Sequence, residues 1–171
     1  MKAADANAAG FTAAVPDGLR LNIGCGLDIA AGMVNADLAP LPGVDVVCDL
    51  DDKWPWPDGS AGYIRASHVF EHVRDPLMFM GEAWRVLAAG GLLDIRVPFF
   101  AHPNSFTDPT HLRHCTLDTF HYWIAGQGLH DAFGAGMGSP PAVFEGLHRS
   151  LNGDEEEELQ VILRKIQTEG A

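Results

Sequence analysis

The segment LNIGCGLD, residues 21–28, is an apolar run that stops at two glycines one residue apart. Leu19 to Ile23 has the length and character of a buried strand, and Gly24 and Gly26 free the backbone for a sharp turn and a close approach. What approaches is a pyrophosphate, another small ligand or only the neighbouring chain. A dinucleotide fingerprint requires a third glycine three residues on, where this chain has Ile29. It also places a ribose-binding acid about 20 residues beyond the glycines, whereas Asp37 arrives eleven residues after Gly26. A pyrophosphate wants a helix N-terminus and basic support, yet Asp28 brings an acid to the turn. A dinucleotide is disfavoured on all three counts.

Beyond the turn, short apolar runs alternate with turn signals. Met33 to Leu38 and Val44 to Cys48 predict two more strands, the latter ending in the acidic cluster Asp49-Leu50-Asp51-Asp52. Tyr63 to Val69 predicts a fourth strand running into SHVFEH. Pro76 suits a first helical turn, and Leu77, Met80, Trp84 and Leu87 recur at helical spacing until Gly90-Gly91. Leu92 to Val97 predicts a fifth strand, and Thr116 is a candidate N-cap for a helix reaching Gly126 and Gly128. Two β-leaning segments close the chain, Ala142 to Leu151 and Leu159 to Ile166, with Asn152-Gly153 as the hairpin signal and Asp154 to Glu158 as a solvated acidic loop. Strands interleaved with crossovers, then a terminal hairpin, define an open α/β sheet whose last strand runs antiparallel. Such sheets bind ligands beyond the carboxyl ends of their parallel strands.

The chain has 171 residues, which implies one domain over residues 19–171 behind a flexible lead-in over 1–18. A net charge of -12 opposes phosphate backbones, and the eleven Lys and Arg are scattered, so no nucleic-acid partner is expected. No apolar run approaches the ~20 residues of a membrane span, and no signal-peptide core is present. Three cysteines without a CxxC read as reduced thiols, so a cytoplasmic setting is expected.

The same acidic field suits a cationic ligand. An acid at the end of the second strand can accept both hydroxyls of a ribose, and a second acidic cluster after the third strand can take an adenine amino group. S-adenosyl-L-methionine (SAM) has these properties: a sulfonium, an α-amino group and no phosphate. The segments LNIGCG, VNADL, VCDLDDKWPWPDGSAGYIRASHVFEHV, EAWRVLAAGGLLDIRVPFF and SFTDPTHLRHCTLDTFHYW occur in that order over residues 19–123, and together they resemble the class I SAM-dependent methyltransferases, small type-11-like domains among them. The resemblance implies a Rossmann-like, mostly parallel seven-stranded sheet with an antiparallel last strand. It also implies that Gly24, Cys25 and Gly26 lie beside the amino-acid part of SAM. Asp37 would hold the ribose, Leu38 would pack on the adenine, Asp49 and Leu50 would border the adenine edge, and Ser67 and His68 would flank the methionine moiety. Only ten residues separate Gly26 from Asp37, so the first crossover is shortened to about a turn. The N-terminal part is shortened too, which leaves the acceptor side open for a second copy of the chain to cover.

Six of the eight histidines fall between His68 and His121. His72 reads as an orienting residue and His121 as core or substrate wall. His102, Asp108, His111 and His114 crowd the loop after the fifth strand, where the methyl acceptor is expected. The catalytic candidates are His111 first, then His68, with Asp108 beside them; a neutral imidazole can take an acceptor's proton. No metal ligands are assigned, because the spacing from His102 to His111 on an irregular loop is not a metal signature. Trp54 and Trp56 read as a cover for the sheet edge. The expected function is methyl transfer to O or N of a small-molecule or sugar-type acceptor. The rivals are a SAM-binding docking module without transferase activity and a metal-dependent hydrolase built on the histidine loop.

Overall fold

The computed structural model describes residues 5–8, 11–127, 142–153 and 157–166. Gly128 and most of the acidic run lie outside them. Among the described residues nine strands form, β1 (Asp5–Ala8), β2 (Phe11–Ala14), β3 (Leu19–Ile23), β4 (Val34–Asp37), β5 (Val46–Val47), β6 (Ala61–Ser67), β7 (Leu87–Pro98), β8 (Phe144–Asn152) and β9 (Glu158–Lys165). The helices are α1 (Pro76–Val86), the single turn α2 (Asn104–Thr107) and a 3-10 turn over Thr119–Trp123. The main sheet has the order β5-β4-β3-β6-β7-β9-β8. Its first five strands are parallel, and β9 runs antiparallel to both β7 and β8. The Rossmann-like sheet expected from the sequence is therefore present, with the last strand in sequence as the antiparallel one.

The helix starts where the sequence places it. Asp75 caps it by accepting hydrogen bonds from the backbone N–H groups of Leu77 at 2.9 Å and Met78 at 3.0 Å, ahead of Pro76. Phe79, Met80, Ala83 and Val86 form its buried face, so the stripe is rotated slightly from the predicted one. The helix ends at Leu87, before Gly90-Gly91. Ala61 pairs with Leu87 and Tyr63 with Leu92, so the glycines lie in a bulge where β7 carries extra residues against β6. Gly90 has φ 75° there, and a Cβ on Gly91 would stand 2.9 Å from the Ala88 carbonyl oxygen. The glycine pair bends a strand rather than stopping a helix. The helix predicted behind Thr116 is only the 3-10 turn, whose N-cap is Asp118 and carries no side-chain cap bond.

The lead-in is another correction. β1 and β2 pair as an antiparallel hairpin, and Ala13 and Val15 are buried with Tyr63 and Leu92. A Cβ on Gly62 would lie 2.1 Å from the Pro16 carbonyl oxygen, so β6 has a glycine where this strap crosses it. One face of the sheet carries the larger core, in which Phe70 meets Phe79, Phe120 and Trp123 at ring separations of 5.0–6.0 Å. Trp54 and Trp56 belong to this core; Glu82 accepts from the Trp54 N–H, and Arg85 donates to both tryptophan carbonyls.

Candidate functional site

The glycine turn ends β3, at the point where the chain leaves toward β4 on one side and later returns to β6 on the other. A cavity of about 260 Å³ opens there. Of the predicted residues, Gly24, Asp37, Leu38, Asp49, Leu50 and His68 line it, together with Cys48, Asp51, Val69, His72 and Val73. Cys25, Gly26 and Ser67 stand in the same turns without lining it. No Lys or Arg is among the lining residues.

Asp37 shapes the turn. Its Oδ2 accepts from Gly26 N–H at 2.7 Å and its Oδ1 from Ala39 N–H at 2.9 Å, so one carboxylate ties the glycines to the end of β4. Each oxygen keeps a lone pair for a ligand. Gly24 has φ 60°, and a Cβ on it would lie 2.3 Å from Val69 Cγ2; Gly26 has φ 51° and nothing within 4 Å of a Cβ. Gly26→Ala therefore costs stability only through its left-handed backbone, about 1–2 kcal/mol in urea unfolding; a neutral result would remove the conformational reason for this glycine.

The short crossover needs no helix, because side chains replace it. Asn35 Oδ1 accepts from Asn22 Nδ2 at 2.9 Å and Ala30 N–H at 2.8 Å, while Asp45 accepts from Asn35 N–H at 2.8 Å. Asp28 pairs with Arg65 at 2.6 Å, so the acid that argued against a pyrophosphate has a structural partner. Across the cavity, Arg74 pairs with Asp51 at 2.9 Å and Asp49 at 3.3 Å. Burial works against the charged form of Asp51, but the Arg74 hydrogen bonds outweigh it and hold that carboxyl below its usual range.

His68 follows Ser67 at the end of β6 with φ 55°, a left-handed conformation rare outside glycine. Its Nε2 lies 3.2 Å from Glu158 and its Nδ1 3.4 Å from Glu71. The Glu158 hydrogen bond, then the nearby Glu71 carboxylate, push its pKa up to about 9 against the opposing effect of burial. At neutral pH this ring is an imidazolium, a hydrogen-bond donor rather than a base.

The loop after β7 folds back onto the turn after His68. Leu112 N–H donates to the Glu71 carbonyl oxygen at 2.8 Å, and Arg113 donates to that of Phe70. The His72 and His111 rings come 4.8 Å apart. His111 Nδ1 donates to the Ser105 carbonyl oxygen at 2.9 Å, which leaves Nε2 with a lone pair. Asp108 is exposed and accepts from the Thr110 hydroxyl at 2.7 Å, so Thr110 Oγ1 in turn accepts from His72 Nδ1 at 3.0 Å. These hydrogen bonds hold the Asp108 carboxyl below its usual range.

Among the described residues, the other histidines of this region disperse. His102 Nδ1 accepts from Asn104 N–H at 3.2 Å, His114 stacks on Phe106, and His121 pairs with Asp118. The sequence reading set His72 aside and gave Glu71 no role. The structure instead brings one ligand-type atom from each of Glu71, His72 and His111 within 4.8 Å of the others. The adjacent acid and histidine four residues past the end of β6 were the signal for this in the sequence.

The strand order, a cavity at the switch point and an acidic, phosphate-averse lining define a Rossmann-like domain for a cationic nucleoside. Residues 9–95 match the family model of the methyltransferase domain, and the chain belongs to that family. No curated protein matches the sequence. Solved structures share the fold at low identity. A chain of the complex between the Haloferax volcanii Trm112 methyltransferase activator and a methyltransferase has a TM-score of 0.63 at 14% identity, covering 90% of this chain and 86% of that one. An S-adenosylmethionine-dependent methyltransferase from Mesorhizobium loti scores 0.55 at 15%, covering 86% and 91%. The [4+2]-cyclase SpnF scores 0.58 at 16%, covering 87% and 76%. The family's cofactor is SAM, and the residues present fit it: acids with free lone pairs, an open face at Gly26 and no lining Lys or Arg to demand a phosphate. Among the described residues no helix is long and apolar enough to cross a membrane.

Proposed function

We propose that this chain transfers the SAM methyl group to an oxygen or nitrogen of a small-molecule or sugar-type acceptor. The observation that carries this reading is His111. Its Nδ1 is committed to the Ser105 carbonyl oxygen, so the neutral ring offers Nε2 as an acceptor, next to the cavity-lining His72. SAM supplies an electrophilic methyl group on a sulfonium.

The chain's own residues bind, orient and move a proton. Asp37 accepts the ribose hydroxyls with the lone pairs left by Gly26 and Ala39. Leu38 and Leu50 pack on the adenine, with Asp49 at its edge, while Gly24, Cys25 and Gly26 run beside the amino-acid part. Ser67 and His68 flank the methionine moiety. His111 takes the acceptor's proton, and positioning supplies much of the remaining acceleration. Asp108 acts at one remove, by orienting His72 through Thr110.

The test is release of S-adenosylhomocysteine from SAM in the presence of phenols, sugars and amines. Turnover with any of them supports the reading. SAM binding without turnover across all three classes would favour a binding module instead. We further propose that a second copy covers the open acceptor side, where Phe106 and Leu112 are 61% and 57% exposed. Light scattering at micromolar concentration is expected to give a dimer; a fully active monomer would refute it.

A further inference from the structure

We propose that Glu71, His72 and His111 form a binding site for a zinc-type divalent cation at the acceptor end of the cavity. Two imidazoles and one carboxylate are a donor set that zinc accepts when a fourth position is left open for water or substrate. One ligand atom from each residue already lies within 4.8 Å of the others. A tetrahedral ion with bonds of about 2.0–2.1 Å needs its ligands roughly 3.3 Å apart, so modest side-chain rotations complete the closure.

Two further features point the same way. Glu71 is 1% exposed, and neither of its carboxylate oxygens makes a hydrogen bond. His68 approaches Oε1 as an ion pair at 3.4 Å, and Arg113, although near, gives its hydrogen bond to the Phe70 carbonyl. The His68 contact reaches Oε1 and leaves Oε2 with no hydrogen bond, a cost that a metal ion offsets directly.

The outer contacts of both rings are also those of metal ligands. Ligating histidines give their second ring N–H to a carbonyl or carboxylate, which fixes the tautomer. His111 gives Nδ1–H to the Ser105 carbonyl, and His72 gives Nδ1–H to Thr110, which hands its own proton to Asp108. Nε2 is the nitrogen each ring has left to coordinate.

This inference gives the acceptor end a second mode, which replaces the proton-acceptor role of His111 whenever the ion is bound, and its binding does not depend on the reading above. In the loaded protein His111 is a ligand, and an acceptor hydroxyl in the open position loses its proton to solvent because the cation lowers its pKa.

The test is titration of metal-stripped full-length protein with Zn²⁺ by calorimetry, with Co²⁺ absorption as the spectroscopic readout. The expected result is one ion per chain, with a tetrahedral Co²⁺ spectrum that His72→Ala abolishes. Thr110→Val, an exposed change outside the ligand set, is expected to weaken Zn²⁺ binding about 10–100-fold by releasing the His72 ring. Absence of stoichiometric binding, or binding that survives His72→Ala in a protein with an unchanged melting curve, overturns the proposal. Binding is read without SAM or acceptor, so its failure is separable from a failure of methyl transfer.

Discussion

His111→Ala lowers kcat roughly 10²–10⁴-fold while leaving SAM affinity unchanged, the range over which a positioned proton acceptor acts. The proposed role gives the reason: His111 stands beside the cavity-lining His72 without itself lining the cavity, so its loss would spare the nucleoside and remove stabilisation made in the transition state alone. Its Nδ1 bond to the Ser105 carbonyl holds the ring in one tautomer, and the Leu112–Glu71 backbone bond holds the loop in place. His111→Gln is the companion variant: it keeps a polar side chain yet offers no imidazole lone pair, so it is expected to be as slow as the alanine. Steady-state kinetics with calorimetry for SAM separates the two effects. An unchanged kcat in either variant would remove His111 from the chemistry.

Asp37→Ala is expected to weaken SAM binding by ~1.5–3 kcal/mol, about 10–150-fold, from the loss of charge-assisted hydrogen bonds. The same carboxylate also accepts from Gly26 and Ala39, so the glycine turn loosens with it. Asp37→Asn separates the contributions. An amide keeps one acceptor oxygen, but it sets an N–H against the N–H of either Gly26 or Ala39. It is expected to fall between wild type and alanine in calorimetric affinity, with a lower melting temperature than wild type. Unchanged SAM affinity in a folded Asp37→Ala protein would refute the assignment of the ribose to this residue.

The parallel strands and the cavity they frame were legible because both rest on local patterns. Apolar runs ending in G-x-G, in an acid or in Ser-His mark strands whose carboxyl ends carry polar residues, and those ends are neighbours in any sheet of this order. The limits of α1 were half legible. Pro76 and Asp75 announce its start through capping, but Gly90-Gly91 looked like its stop and is instead the bend of β7. A glycine reads the same in either role, since its φ freedom is the only information it carries. The lead-in was misjudged because Ala13 and Val15 are small residues whose burial depends on Tyr63 and Leu92, far along the chain.

The sequence by itself determined the class of fold and the kind of ligand, because strand periodicity, turn glycines and the sign of the charge act locally and survive any detail of packing. The tertiary structure alone decided which histidines meet. His111 could be singled out by its loop, but its contact with His72 and Glu71 spans some forty residues. That contact exists only because Leu112 and Arg113 donate to the backbone carbonyls of Glu71 and Phe70. Likewise His68 and Glu158 are joined only by the pairing of β9 with β7. Long-range hydrogen bonds between irregular segments leave no period in a sequence, and the chemistry proposed for this site depends on them.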